Sequence, residues 1–339
     1  MSSAQQPTSA PEGATPSSLV DGQGRQLTYL RLSVTDRCNY RCSYCSPGSW
    51  AGRAQLLSED EVVRVATLFS RIGVKKVRLT GGEPLLRKDL PSIIRRIRAL
   101  PGLREVCLTT NGHLLAEAAQ ELKDAGLDRL NLSVDTLDPE KFKKVTGGHG
   151  DVGRLVAGVE AAKAVGFTGL HVNTVVVDGF NDGEAAAIVR WAWERDLVPR
   201  FIELMPFSPE GRPVSTLDLI ARMKAQGLEL TQESVTPEAM SGPSEYWRGE
   251  GGRKVGFIGP LTRNFCERCN RVRVAANGNL HACLGGSASL QLAPLLRSEA
   301  TDAELEAEIR EALAKKPDGH CMTKSDAKAQ LGAMMGIGG

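Results

Sequence analysis

Six strand-like segments alternate with helix-like ones between residues 19 and 228, which predicts an α/β fold: a partial (βα)6 barrel of the TIM type. Three observations carry this expectation. Each strand returns to the next through a helix, and a right-handed crossover of that kind makes the sheet parallel. Eight such units close a barrel, so six leave it open. Within the strands polar residues recur at every second position, which makes one sheet face apolar and the other polar. After residue 228 the helical period stops, and residues 229–339 read as a small irregular C-terminal module.

In chain order, residues 1–18 are Ser, Ala, Pro and Gln with nothing to bury, and read as a disordered tail. They hold no arginine, unlike a mitochondrial transit peptide. The barrel then spans 19–228, with its first strand at 27–35. Ser58 with Glu61 three residues later is a capping box, opening a helix that runs to about residue 72. Strand 77–80 precedes helix 89–100, 106–110 precedes 114–125, and 130–135 precedes 152–165. The last two units pair 171–177 with 184–196 and 201–205 with 217–226. An Ala/Glu-rich helix at 302–316 lies near the end, and the chain finishes on Gly338-Gly339.

The alternation places Arg31 with Ser33, Arg78 with Thr80, Asn131 with Ser133 and Asp135, His171 with Asn173, and Glu203 with Met205. A wetted sheet face is one explanation. Parallel sheets, however, are covered on both faces, so a polar lining predicts a ligand cavity opening at the strand C-termini. The totals narrow its contents. A net charge of +2, from 42 basic and 40 acidic residues, gives no reason to expect nucleic acid as partner, and no apolar run suits a membrane. Eight cysteines without an export signal argue for thiolates and metal in the cytoplasm, not disulfides.

Cys38, Cys42 and Cys45 stand on one short loop. Three soft thiolates suit three irons of a [4Fe–4S] cube and leave the fourth iron open to a small molecule. A zinc knuckle wants four closed ligands and no fourth stands nearby; three unrelated thiols are the bland alternative. The stretch resembles the C-x3-C-x2-C motif of radical S-adenosylmethionine (SAM) enzymes, including Tyr44 before the last cysteine. Thr80-Gly81-Gly82-Glu83-Pro84 resembles the GGEP motif of the same superfamily, its glycines allowing close backbone approach. The resemblance implies SAM as cofactor, contacted by Tyr44, Gly82, Ser133 and Met205, with Glu83 accepting from its ammonium group.

Cys266, Cys269 and Cys283 form a second set, C-x2-C-x13-C. In isolation, zinc completed by His281 and an iron–sulfur cluster stand level. Arg271 and Arg273 beside the thiols suit a polyphosphate, which zinc scaffolding does not need. With both sets present, residues 19–339 resemble the GTP 3′,8-cyclases of molybdenum cofactor biosynthesis. The shared stretches include Leu-Ser-Val-Thr-Asp-Arg-Cys, Thr-Thr-Asn-Gly, Phe-Ile-Glu-Leu-Met, Cys-Asn-Arg-Val-Arg and the terminal Gly-Gly. The resemblance implies two [4Fe–4S] clusters and radical cyclisation of GTP to 3′,8-cyclo-7,8-dihydro-GTP. It also implies an electron donor and a separate downstream cyclic pyranopterin monophosphate synthase, and a homodimer is compatible with it. Arg31, Arg78, Thr109, His171, Arg271 and Arg273 match GTP-contacting positions, with Val272 contributing backbone. Catalytic roles fall to Arg271, Arg273, Gly338 and Gly339, the tail being placed in the cavity near SAM.

Two positions depart from the family pattern: His171 stands where a lysine is usual, and Ser46 where methionine is common. The rivals are another radical SAM enzyme with an auxiliary cluster, such as a peptide maturase, and an electron-transfer iron–sulfur protein. The first usually carries more C-terminal cysteines than Cys321; the second needs no polar cavity. Cys107, between Val106 and Leu108, reads as a buried small hydrophobe.

Overall fold

The structure is a computed structural model that describes residues 18–45, 55–206, 211–233 and 242–320. The tail up to residue 17, Ser46, Cys321, Gly338 and Gly339 lie outside the described residues.

The six βα units form as the periodicity predicts. They are β1 (Tyr29–Thr35) with α1 (Glu59–Arg71), β2 (Lys76–Gly81) with α2 (Leu90–Arg98), and β3 (Glu105–Thr110) with α3 (Leu115–Asp124). After β4 (Arg129–Ser133) come α4 (Pro139–Val145) and α5 (Val152–Ala164). The series ends with β5 (His171–Val176), α6 (Ala185–Trp193), β6 (Val198–Glu203) and α7 (Thr216–Ala225). Ser58 caps α1 as a capping box: its hydroxyl accepts from Glu61 N at 3.2 Å while Glu61 accepts from Ser58 N at 2.7 Å. Helix α4 adds an element the periodicity alone passes over. It is too short to show a period, but Asp138 accepts from Lys141 N and Pro139 takes the first turn, the ordinary start signals. Strand β6 begins three residues before the expected 201, because Pro199 reads as a strand breaker and is tolerated here.

Segments beyond residue 228 extend this sheet at both edges. Strand β10 (Arg271–Val274) pairs parallel with β1, and β9 (Lys254–Ile258) pairs parallel with β6. The parallel run is therefore β10-β1-β2-β3-β4-β5-β6-β9, within a twelve-stranded sheet. Outside it lie antiparallel β11 (Asn279–His281) and β12 (Leu290–Gln291) on one edge, and β8 (Glu245–Arg248) and β7 (Thr231–Gln232) on the other. Strands β9 and β10 do not pair with each other among the described residues, so the barrel stays open.

Leu30, Leu32, Val77, Leu79, Val106, Leu108, Leu130 and Leu132 are completely buried on the helix side. Burying such side chains contributes ~1.5–3 kcal/mol each and fixes the strand register, since a one-residue slip would turn every one toward the polar face. Short α8 (Leu292–Leu296) and α9 (Asp302–Ala314) close over α1, where Arg64 bonds Asp302 at 3.0 Å and the Leu296 carbonyl at 2.9 Å. No helix among the described residues is long and apolar enough to cross a membrane.

Candidate functional site

The inward positions of the parallel strands line one cavity of about 640 Å³. Its depth follows from register. Arg273, Arg31 and Arg78 are direct partners on β10, β1 and β2, three guanidinium-bearing residues side by side at the ~4.8 Å strand spacing. Nearer the strand N-termini lie Lys76, Glu105, Arg129, His171 and Lys254, each the first residue of its strand. At the C-terminal ends lie Gly82, Ser133, Asp135 and Met205 with Tyr44.

Electrostatically the middle of the cavity is a concentrated positive region. Burial lowers the pKa of Arg31, and the neighbouring Arg273 lowers it further. Arg200 and Arg273 are each brought down to about 10, by burial first and then by Arg78 and Arg271 respectively. Arg200 donates to Asn173 at 3.0 Å, and Arg78 reaches Thr109 at 3.4 Å. With its amide oxygen turned toward the guanidiniums, Asn131 accepts from Arg78 at 3.1 Å and Arg200 at 2.9 Å. Lys76 lies 5.2 Å and Arg78 5.6 Å from the centre of the Tyr29 ring. Mutual repulsion among buried cations is what a bound polyanion relieves.

His171 does not behave as the partly charged cation that its ordinary pKa suggests. Burial, followed by Arg200, Arg129, Arg78 and Lys76, pushes it down to about 2, and its Nδ1 is buried without a hydrogen-bond partner. It is therefore neutral throughout the physiological range. The unfolded imidazole takes a proton near pH ~6.5, whereas the folded site refuses it, so stability is lost as pH falls below that value. His171→Asn is expected to remove this slope. In urea titrations the advantage of the variant over wild type should grow as pH falls from 6.5 to 5, its slope rising toward about 1.4 kcal/mol per pH unit. Equal slopes would mean that His171 titrates normally.

The first thiols sit on the loop after β1, docked on the end of α4 through Arg41 N to Thr146 O and Ser43 N to Val145 O. The Tyr44 hydroxyl donates to Asp135 at 2.6 Å. Burial raises the pKa of all three thiols, that of Cys45 to about 12, and the charges of the set add to one another. The glycine turn also has a reason within the fold. A side chain at Gly82 would meet Arg37 O at 2.2 Å, and one at Gly81 (φ +145°) would meet Thr35 O at 2.2 Å. The glycines thus let this turn close onto the backbone leading into Cys38. Glu83 also has partners within the protein. Its oxygens accept from Leu85 N at 3.0 Å, Thr110 Oγ1 at 2.8 Å and Asn111 N at 2.7 Å. Burial pushes Glu83 up to about 7 despite those donors.

Cys266 and Cys269 precede β10 and Cys283 follows β11, which puts the second set at the opposite end of the cavity from the first. Burial works against the Cys269 thiolate, but Arg271 and Lys316 bring its pKa down to about 7. His281 does not line the cavity with these thiols; its Nδ1 lies 3.4 Å from Gly286 O. Among the described residues no three His, Cys, Asp or Glu side chains converge as ligands of a single ion would.

Residues 32–192 match the radical SAM superfamily and residues 198–322 the molybdenum cofactor synthesis C domain. A Pseudomonas entomophila protein named GTP 3′,8-cyclase is 44% identical over 90% of this chain and 93% of its own length. One of that name from Hydrogenovibrio crunogenus is 41% identical over 95% and 99%. The chain belongs to the GTP 3′,8-cyclase family. Among solved structures, Streptococcus suis SuiB shares the fold, with a TM-score of 0.58 at 13% identity over 88% of this chain and 74% of that one. Membership of the radical SAM superfamily brings a [4Fe–4S] cluster and SAM, and Cys38, Cys42 and Cys45 are the thiols that fit the cluster.

Of the residues matched to GTP 3′,8-cyclase positions, Arg31, Arg78, Thr109, His171, Arg271 and Arg273 line the cavity, as do Tyr44, Gly82, Ser133, Met205 and all six clustered cysteines. Val272 is the exception, fully buried on the helix side of β10. The sequence reading missed Arg200, Lys76, Arg129 and Lys254. All lie before strand starts that were placed too late, or on a strand not placed at all; Lys76, Arg129 and Lys254 head their strands, and Arg200 is the third residue of β6. Cys107 is fully buried, as expected of a small hydrophobe.

Proposed function

We propose that this chain is a GTP 3′,8-cyclase that converts GTP to 3′,8-cyclo-7,8-dihydro-GTP, the first step toward molybdopterin. One observation carries the reading: a row of guanidiniums crosses a cavity that has a three-thiol set at each end. When bound at Cys38, Cys42 and Cys45, a cluster with SAM supplies a carbon-centred radical able to take hydrogen from a ribose carbon. Cys266, Cys269 and Cys283 would hold a second [4Fe–4S] cluster, which would supply an anchor for the guanine. Arg31, Arg78, Arg273 and Arg200 neutralise the triphosphate, Thr109 and the Val272 backbone orient it, and Arg271 and Arg273 stand nearest the second thiols. Tyr44, Gly82, Ser133 and Met205 position SAM at the strand C-termini. The resemblance to the family also assigns a catalytic role to Gly338 and Gly339, which lie outside the described residues. An electron donor, a downstream cyclic pyranopterin monophosphate synthase and a cytoplasmic location complete the reading, since free thiols persist in a reducing compartment.

Anaerobic binding of GTP, GDP and GMP tests the substrate assignment. Affinity should fall with each phosphate removed, and Arg273→Ala should weaken GTP by about 1.5–3 kcal/mol, the size of a charge-assisted contact. His171→Lys should tighten GTP by a similar amount. Because the wild-type imidazole is already neutral, that gain should stay constant from pH 6 to 8. Equal affinity for all three nucleotides would count against a phosphate-binding cavity.

A further inference from the structure

Lys316, just beyond α9, is 4% exposed and lines the cavity beside the second thiols. Its Nζ donates to Arg271 O at 3.0 Å and to Ala282 O. Those carbonyls belong to the residue two after Cys269 and the residue immediately before Cys283. A neighbouring cation, Arg25, reaches the third cysteine in the same manner. It donates to Cys266 O at 2.9 Å while holding Pro317 O and Asp318 O, the two residues after Lys316. Two buried side chains thus fasten the segment after α9 to all three cysteine-bearing segments.

The two cations differ in charge balance. Arg25 is paired with Asp21 at 2.7 Å. Lys316 forms no ion pair with a carboxylate among the described residues. The charged and titratable groups that act on it are Cys269, Cys283, Arg25 and Arg271. Carbonyl dipoles satisfy two of its three N–H donors but not its charge. A buried ammonium without a counter-ion costs several kcal/mol, and a hydrophobic residue of similar length would avoid that cost. Among the described residues the anionic groups it faces are the thiolates of Cys269 and Cys283, and these are anionic when they ligate metal.

We propose that Lys316 is a positioning residue and the fixed counter-charge of the second iron–sulfur cluster, raising that cluster's reduction potential. This rests on the reading that Cys266, Cys269 and Cys283 hold such a cluster. A positive charge beside a cluster favours its reduced, more negative form, in the way that charge and hydrogen bonding tune such potentials generally.

The test uses the full chain with Cys38, Cys42 and Cys45 replaced by alanine, reconstituted anaerobically so that only the second set can carry a cluster. Iron is counted and the potential is measured by a redox titration followed by electron paramagnetic resonance. Lys316→Gln keeps two N–H donors for the carbonyls without the charge, Lys316→Met removes both, and Lys316→Arg keeps both. The glutamine and methionine variants should titrate at a more negative potential than the lysine protein, with arginine close to lysine. Iron retained by arginine but by neither neutral variant would support the same role. Equal potentials for lysine and glutamine, or equal iron loss in all three variants, would overturn it. Zinc or no metal at these thiols in the Lys316 protein would overturn the cluster reading itself, and the metal count separates the two failures.

Discussion

Replacing Cys266, Cys269 and Cys283 together by alanine is expected to leave 5′-deoxyadenosine formation while cyclised nucleotide falls by ~100-fold or more. The two thiol sets lie at opposite ends of one cavity and are held by different parts of the chain. The first depends on the loop after β1, α4 and the Gly81-Gly82 turn, whereas Arg25 and Lys316 support the second. SAM chemistry therefore survives the triple substitution, but the substrate base loses its anchor and the ribose its aim. Reacting atoms must stay within a few ångströms, and small misplacements have effects of that size. Undiminished cyclisation, or stoichiometric zinc at these thiols in anaerobically purified protein, would rule out their assignment to a substrate-facing cluster.

Glu83→Ala is expected to destabilise the protein without SAM by on the order of 3 kcal/mol, with the first cluster retained poorly. The buried Glu83 carboxylate gathers three donors, from Leu85, Thr110 and Asn111, at 2.7–3.0 Å. Removing it leaves those donors without an acceptor, and each buried unsatisfied group costs about 1–3 kcal/mol, less where water can enter from the cavity. It also loosens the turn whose Glu83 N donates to Arg37 O at 2.7 Å, just ahead of Cys38. If Glu83 served only to bind the ammonium group of SAM, the substitution would weaken SAM binding and leave unfolding in urea unchanged. The unfolding midpoint without SAM distinguishes these roles.

The barrel was legible because its signals are local. The Ser58–Glu61 capping box, the strand alternation and the alternation of strand with helix all lie within short windows, and each produced the element it predicted. What could not be read is nonlocal. Strand β10 joins β1 across more than 230 residues of chain, and a four-residue strand carries too little period to announce that pairing. The row Arg273–Arg31–Arg78 exists only after that pairing forms. The charge state of His171 has the same origin, since four cations from three other strands and burial set it, not the residues beside it in sequence. The internal partners of Glu83 are hidden for a related reason: the motif names the residue, while its donors arrive from the following turn and from the end of β3.

Anaerobic turnover with GTP, SAM and a low-potential reductant tests the central claim most directly. The expected result is 5′-deoxyadenosine and 3′,8-cyclo-7,8-dihydro-GTP appearing together in equal amounts. Formation of 5′-deoxyadenosine with GTP left unconsumed, by protein in which both thiol sets carry their full iron, would contradict it.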